Sequence, residues 1–271
     1  MHFLDKLLKA SRDNKSLLCL GLDPDPSLMP KVSVLDFNKA IIEATADLVC
    51  AYKPNLAFYE ALGPKGLEDL VKTVAFIPKG IPIIGDGKRG DIGHTAKAYA
   101  RALFSAFGFD AATVNPYLGY DSLEPFLQYS EKGVFILCKT SNTGSRDFQD
   151  LPCRESAEEP VPLFEKVARK ALEWNTRGNI GLVVGATYPE ELKRLRTLCP
   201  EMPLLIPGIG TQGGEMARTV HDGTDAHGER AIISSSRQVL YASTGTDFAL
   251  AARKEAQRLR QQINDLLTSL A

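Results

Sequence analysis

Four charged side chains could do chemistry together. The stretch "IPIIGDGKRGDIGHT" ends an apolar run in Asp86, Lys88 and, three residues on, Asp91. A fourth, Lys53, sits inside "AYKPNLAF". Residues two apart on a strand share a face, so Asp86 and Lys88 point the same way. If that face is interior, neither charge can remain there unpaired. Carboxylates beside the amines would hold both lysines protonated. Such an alternating array is nearly neutral overall yet presents a localised cation. That cation could stabilise a developing anion and then hand over a proton. The competing explanation is a structural ion-pair network closing one end of a barrel.

The elements around these residues favour an interior face. Apolar runs fall at 16–23, 48–58, 81–88, 111–117, 133–140, 180–186, 203–210 and 231–236. Amphipathic segments lie between and after them, at 36–49, 64–76, 94–107, 121–131, 161–174, 188–198, 213–220 and 247–268. Strands that are apolar on both faces belong in parallel sheets. Eight of them alternating with helices predict a (β/α)₈ barrel, with residues 1–271 as one domain behind a short N-terminal helix. A doubly wound open sheet is the other architecture to weigh. Against it, the first strand runs into "GLDPDPSLMP" instead of a glycine-rich dinucleotide loop.

Active sites of such barrels lie at the C-terminal strand ends. There the sequence places Asp23, Lys53, Asp86 and Lys88, Asn115, and Lys139 with Thr140 and Ser141. The seventh strand runs into "PGIGTQGG" and the eighth into "SSSR". Glycine amides and Gln212 at a helix start, with the Arg237 fork beside them, suit a phosphate. The long stretch 142–162 is a candidate lid or binding loop.

Composition narrows the class. The chain has 271 residues, 44% of them hydrophobic, and a formal net charge of −1. Its isoelectric point is about 6.4. No basic face for nucleic acid or membrane is implied. No apolar run reaches the roughly 18 residues of a membrane span. The amphipathic N-terminus lacks the pattern of a signal peptide. Cys19, Cys50, Cys138, Cys153 and Cys199 are odd in number and scattered, which predicts reduced thiols in a cytoplasmic protein.

"DGKRGDIGHT" resembles the Asp-x-Lys-x-x-Asp-Ile-x-x-Thr motif of the orotidine 5′-phosphate decarboxylase family, and most of all its longer bacterial subgroup (type 2). "LGLDPDP", "YKPNLAFYE", "NPYLGYDSLEPF", "CKTSNTGS", "PGIGTQGG" and "SSSR" keep the family's order along almost the whole chain. The resemblance implies a cofactor-independent homodimeric barrel that converts orotidine 5′-monophosphate to UMP. It assigns Lys53, Asp86, Lys88 and Asp91 to a charged tetrad, with Lys88 protonating the product carbon. It implies that Asp91, Ile92 and Thr95 enter the partner subunit's site. Asp23 would hold ribose hydroxyls and Ser141 the pyrimidine edge. Gln212 and Arg237, with amides near Gly210, would grip the phosphate.

Several residues stand outside that scheme. His221 and His227 read as solvated loop residues without a metal spacing. Arg89 should point away from Lys88, Lys139 reads as scaffolding, and Trp174 as packing. A related group of sugar-acid phosphate decarboxylases shares the Asp-x-Lys-x-x-Asp motif but uses Mg²⁺ and carries an acid where this chain has Lys53. A non-catalytic phosphosugar-binding barrel is the remaining alternative, as is fusion to a phosphoribosyltransferase, for which the chain has no residues to spare.

Overall fold

The computed structural model describes residues 1–154, 159–208 and 213–269. Eight strands form its main sheet: β1 Leu18–Leu22, β2 Ala51–Pro54, β3 Ile84–Arg89, β4 Ala111–Val114, β5 Gly133–Lys139, β6 Ile180–Val184, β7 Leu204–Pro207 and β8 Ala231–Ser235. Neighbours pair in parallel in the order β2-β1-β8-β7-β6-β5-β4-β3. Parallel bridges from Tyr52 to Ile83 and from Asn55 to Asp86 join the two ends. The ring therefore closes in chain order, as the alternating pattern predicts, and helices cover its outside.

Two apolar layers result from this geometry. Leu18, Leu20, Leu22, Tyr52, Val134 and Ile136 point outward, into the core shared with the helices. Inside the ring, each strand contributes one residue to a separate cluster: Cys19, Ala51, Ile84, Ala111, Phe135, Val183, Leu205 and Ile232. Phe3 and Leu7 of the N-terminal helix Phe3–Asn14 complete that cluster from below. Phe3 meets Phe135 edge to face at 5.6 Å, and Lys6 pairs with Asp110 at 2.7 Å beside the start of β4.

Period-two alternation then dictates what stands above the apolar layer. Two residues past Ala51 is Lys53, past Ile84 is Asp86, past Ala111 is Thr113, and past Ile232 is Ser234. All four are buried. The barrel interior is thus apolar below and polar above.

Some strands stop earlier than their apolar runs. The run 48–58 yields a strand only to Pro54, because the Asn55 side chain accepts the Ala57 N–H and starts the short helix Leu56–Glu60. Asn115 likewise accepts the Tyr117 N–H and opens a 3-10 turn at Pro116–Leu118. The helix at 94–107 runs as Gly93–Arg101 and widens into a π turn at Ala102–Ala106. The stretch 142–162 carries a 3-10 turn at Thr143–Asp147 and a two-residue hairpin, Pro152–Cys153 with Val161–Pro162.

Candidate active site

Asp86 is the hub. Its Oδ2 accepts from Lys53 Nζ at 2.9 Å, and its Oδ1 accepts from Lys88 Nζ at 2.7 Å and Thr113 Oγ1 at 2.9 Å. Two ammonium groups therefore share one carboxylate. Burial alone would raise the Asp86 pKa, but Lys53 and Lys88 outweigh it and hold the acid well below the usual carboxylate range. Burial would also discharge Lys53, but Asp86 and then Asp23 keep it charged to higher pH than usual.

The two lysines are not equivalent. The Lys53 side chain is 7% exposed, and that of Lys88 is 47% exposed. Lys53 is a fixed counter-charge, and Lys88 is the cation available at the barrel mouth. Lys88 also has a left-handed backbone, φ 46°, a region that non-glycine residues rarely occupy. There β3 slips out of register with β4 between Gly85 and Arg89. Arg89 turns away, as expected, to pair with Glu60 and to lie over the Tyr99 ring.

Asp91 does not join this cluster. Its Oδ1 accepts the Ile92 N–H at 2.8 Å, and it forms no ion pair among the described residues. Ile92 and Thr95 stand exposed beside it, Ile92 with 57% of its surface open. Tyr117, Leu118 and Tyr120, after β4, are likewise exposed.

Asp23 lies across the mouth. It is buried, its Oδ2 accepts from Ser236 Oγ at 2.6 Å, and its Oδ1 accepts the Asn55 N–H at 3.3 Å. Tyr241 clamps the same corner by donating to the Asp23 carbonyl at 2.8 Å. Ser141 sits against the turns after β6 and β7. A Cβ on Gly185 would lie 2.8 Å from its backbone, and one on Gly208, at φ +88°, would lie 3.5 Å from its hydroxyl. Arg237 opens the short helix Arg237–Leu240 after β8, exposed and without a carboxylate partner among the described residues. Gly210 and Gln212 lie outside the described residues.

Residues 16–251 match the family described as orotidine 5′-phosphate decarboxylase / HUMPS. The chain belongs to that family. The orotidine 5′-phosphate decarboxylase of Dehalococcoides mccartyi is 57% identical over 265 residues, covering 97% of this chain and 98% of the relative. That of Herpetosiphon aurantiacus is 52% identical over 262 residues, 94% and 95% of the two chains. The solved structure of the Leishmania donovani OMP decarboxylase superposes with a TM-score of 0.85 at 38% identity, over 99% of both chains.

Within this decarboxylase-family barrel, the remaining singled-out residues take structural places. Lys139 is fully buried, paired with Asp150, with its ammonium 4.4 Å from the Tyr188 ring centroid. Beside it Gln149 accepts the Thr140 N–H and donates to the Thr140 hydroxyl, each at 2.8 Å. Lys139 is thus bonded within the scaffold, and the bonds at 149 and 150 tie the long loop to the end of β5. Trp174 packs against Tyr120 at 5.5 Å. His221 is not in a loop: it lies in the last turn of the helix Gly213–Gly223, its Nδ1 2.7 Å from Asp222 Oδ1. His227 is exposed in the next turn, where Asp225 accepts its N–H. No group of three His, Cys, Asp or Glu among the described residues is placed to hold a metal ion.

Sequence reasoning missed Thr113, Asn55, Ser236 and Tyr241. All four touch the backbone or side chain of a residue it had singled out. The signal was available for Thr113 alone, as the inward position two residues beyond Ala111.

Proposed function

We propose that this chain decarboxylates orotidine 5′-monophosphate to UMP, the last step of de novo pyrimidine synthesis, in the cytoplasm and without a cofactor. The observation that carries the reading is the Asp86 carboxylate held between Lys53 and Lys88, with Lys88 half exposed at the barrel mouth. Loss of CO₂ leaves an electron pair on C6 in the plane of the pyrimidine ring, where the π system delocalises it poorly. Positive charge fixed in advance beside that carbon lowers the barrier. Lys88 supplies the charge and then protonates C6; its amine regains a proton from solvent. Lys53 neutralises Asp86 from behind and aims it at Lys88.

The other assignments belong to the same reading. Asp23 takes the ribose hydroxyls and Ser141 the pyrimidine edge. Gln212 and Arg237, with amides near Gly210, take the phosphate, whose binding energy helps to order the site. The whole chain works as one barrel domain in a homodimer. The partner subunit's Asp91 completes the tetrad, and Ile92 and Thr95 cross with it. The exposure of Ile92 and the absence of an ion pair at Asp91 among the described residues support that arrangement.

The magnesium-dependent sugar-acid phosphate decarboxylases are disfavoured by Lys53, since both Asp86 oxygens are already bonded to ammonium groups. The test is the ultraviolet absorbance of orotidine 5′-monophosphate mixed with the protein and EDTA. Loss of the orotate chromophore with UMP appearing is the expected result. Turnover only after Mg²⁺ is added would move the chain to the metal-dependent reaction. UMP binding without turnover under either condition would leave a phosphate-binding barrel.

A further inference from the structure

We infer that Thr113 is a positioning residue for the decarboxylation, setting the relation between Asp86 and Lys88 through a single hydroxyl; the inference rests on the function proposed above. Thr113 lies on β4, 1% exposed, and points into the barrel. Its Oγ1 has one hydrogen, and it donates that hydrogen to Asp86 Oδ1 at 2.9 Å. The same oxygen accepts the Lys88 backbone N–H at 2.9 Å. An ionised carboxylate only accepts and a backbone N–H only donates, so both bonds have a fixed direction.

The sheet register explains why a side chain is needed. Ile84 pairs with Ala111 and Gly85 with Ala112, and the next pair is Arg89 with Val114. The segment Asp86-Gly87-Lys88 therefore faces Thr113 alone. With the ladder broken, the Lys88 N–H loses its regular strand partner, and the Thr113 hydroxyl replaces it. That contact falls where the Lys88 backbone is left-handed, a conformation that persists only when its surroundings impose it. One hydroxyl thus fixes the carboxylate and the backbone that carries the proposed acid.

Thr113→Val keeps the shape and removes both bonds; Thr113→Ser keeps the hydroxyl and removes the methyl. For each, kcat and KM for orotidine 5′-monophosphate are measured, together with exchange of the C6 hydrogen of UMP in D₂O by NMR. That exchange reads proton transfer at Lys88 without decarboxylation. Misplacing reacting groups by an ångström costs on the order of 100-fold, so that loss in kcat is expected for Thr113→Val. KM should stay within about three-fold, with exchange falling in step. Thr113→Ser should remain within about ten-fold of the unmodified enzyme. Equal losses in the Val and Ser variants overturn the inference, as does a Val variant with near-normal kcat or normal exchange. Should Thr113→Val fail to fold, Thr113→Ala replaces it, and an Ala variant as active as Ser overturns the inference. An unmodified enzyme with no activity would instead refute the proposed reaction.

Discussion

Asp86 and Lys88 join side chains at 2.7 Å across a single glycine while the strand that carries them departs from β4. The ion pair and the left-handed Lys88 backbone are one local structure. Charge placement is set there by a break in regular sheet pairing.

Substitutions at Lys88 separate the chemical role of its side chain from the cost of its backbone. Lys88→Ala and Lys88→Gly both lose the ammonium, and a general acid contributes about 10²- to 10⁴-fold. Both variants should fold and be inactive within assay limits. The left-handed conformation costs an L-residue about 1–2 kcal/mol. Urea denaturation should therefore show the Gly variant more stable than the Ala variant by about 1 kcal/mol. Equal midpoints would mean that the backbone at Lys88 carries no strain.

Subunit mixing tests whether Asp91 works across an interface. Lys88→Ala and Asp91→Ala homodimers should each be inactive. If Asp91 serves the partner, a mixed dimer carries one native site and one doubly defective site. Its activity should recover to about half that of the unmodified dimer, by the symmetry of a two-fold interface. No recovery in verified heterodimers would assign Asp91 to its own subunit.

The buried pair of Asp86 and Lys53 predicts a plateau in stability against pH. Asp86 titrates below its ordinary value, so its contribution is present above about pH 4 and is lost as pH falls from there. Lys53 titrates above its ordinary value, so its contribution is present below about pH 10 and is lost as pH rises beyond. Asp86→Asn removes the bonded counter-ion of the buried Lys53, leaving Asp23 as its remaining carboxylate neighbour, and should cost about 3 kcal/mol. The difference from the unmodified protein should stay flat from about pH 5 to 9 and shrink below about pH 4. A slope between about pH 5 and 8 would show Asp86 titrating near neutrality.

The long loop should loosen when its anchor is cut. Asp150 is the carboxylate partner of the enclosed Lys139. Asp150→Ala leaves that ammonium against aromatic rings only, at a cost of about 1–3 kcal/mol. Hydrogen exchange over residues 140–154 should accelerate while the rest of β5 stays protected. Unchanged exchange would mean that Gln149 and Thr140 hold the loop by themselves.

The barrel was legible because burial on both faces leaves continuous apolar strands, and eight such runs alternate with amphipathic helices. The hub was legible through period two: Ile84 below implies Asp86 above, and Ala51 implies Lys53. Strand ends were less so, because Asn55 and Asn115 stop their strands by capping the next helical turn, and an apolar run such as "NLAF" does not reveal that. Thr113 was legible in its inward position but not in its role. In "AATVNPY" a threonine reads as a β-branched strand former, and its hydroxyl gains meaning only once β3 slips beside it. The expected role of Asp91 depends on a second subunit, which no single-chain pattern contains.

Phe3 and Leu7 act as a stopper. With the lower end of the ring corked by the N-terminal helix and the apolar layer above it, the site opens, among the described residues, at the upper mouth, where Lys88 is half exposed. In the proposed reaction, nucleotide, carbon dioxide and product share that mouth, and a tightly held nucleotide then obstructs the escape of the gas that its own reaction has made.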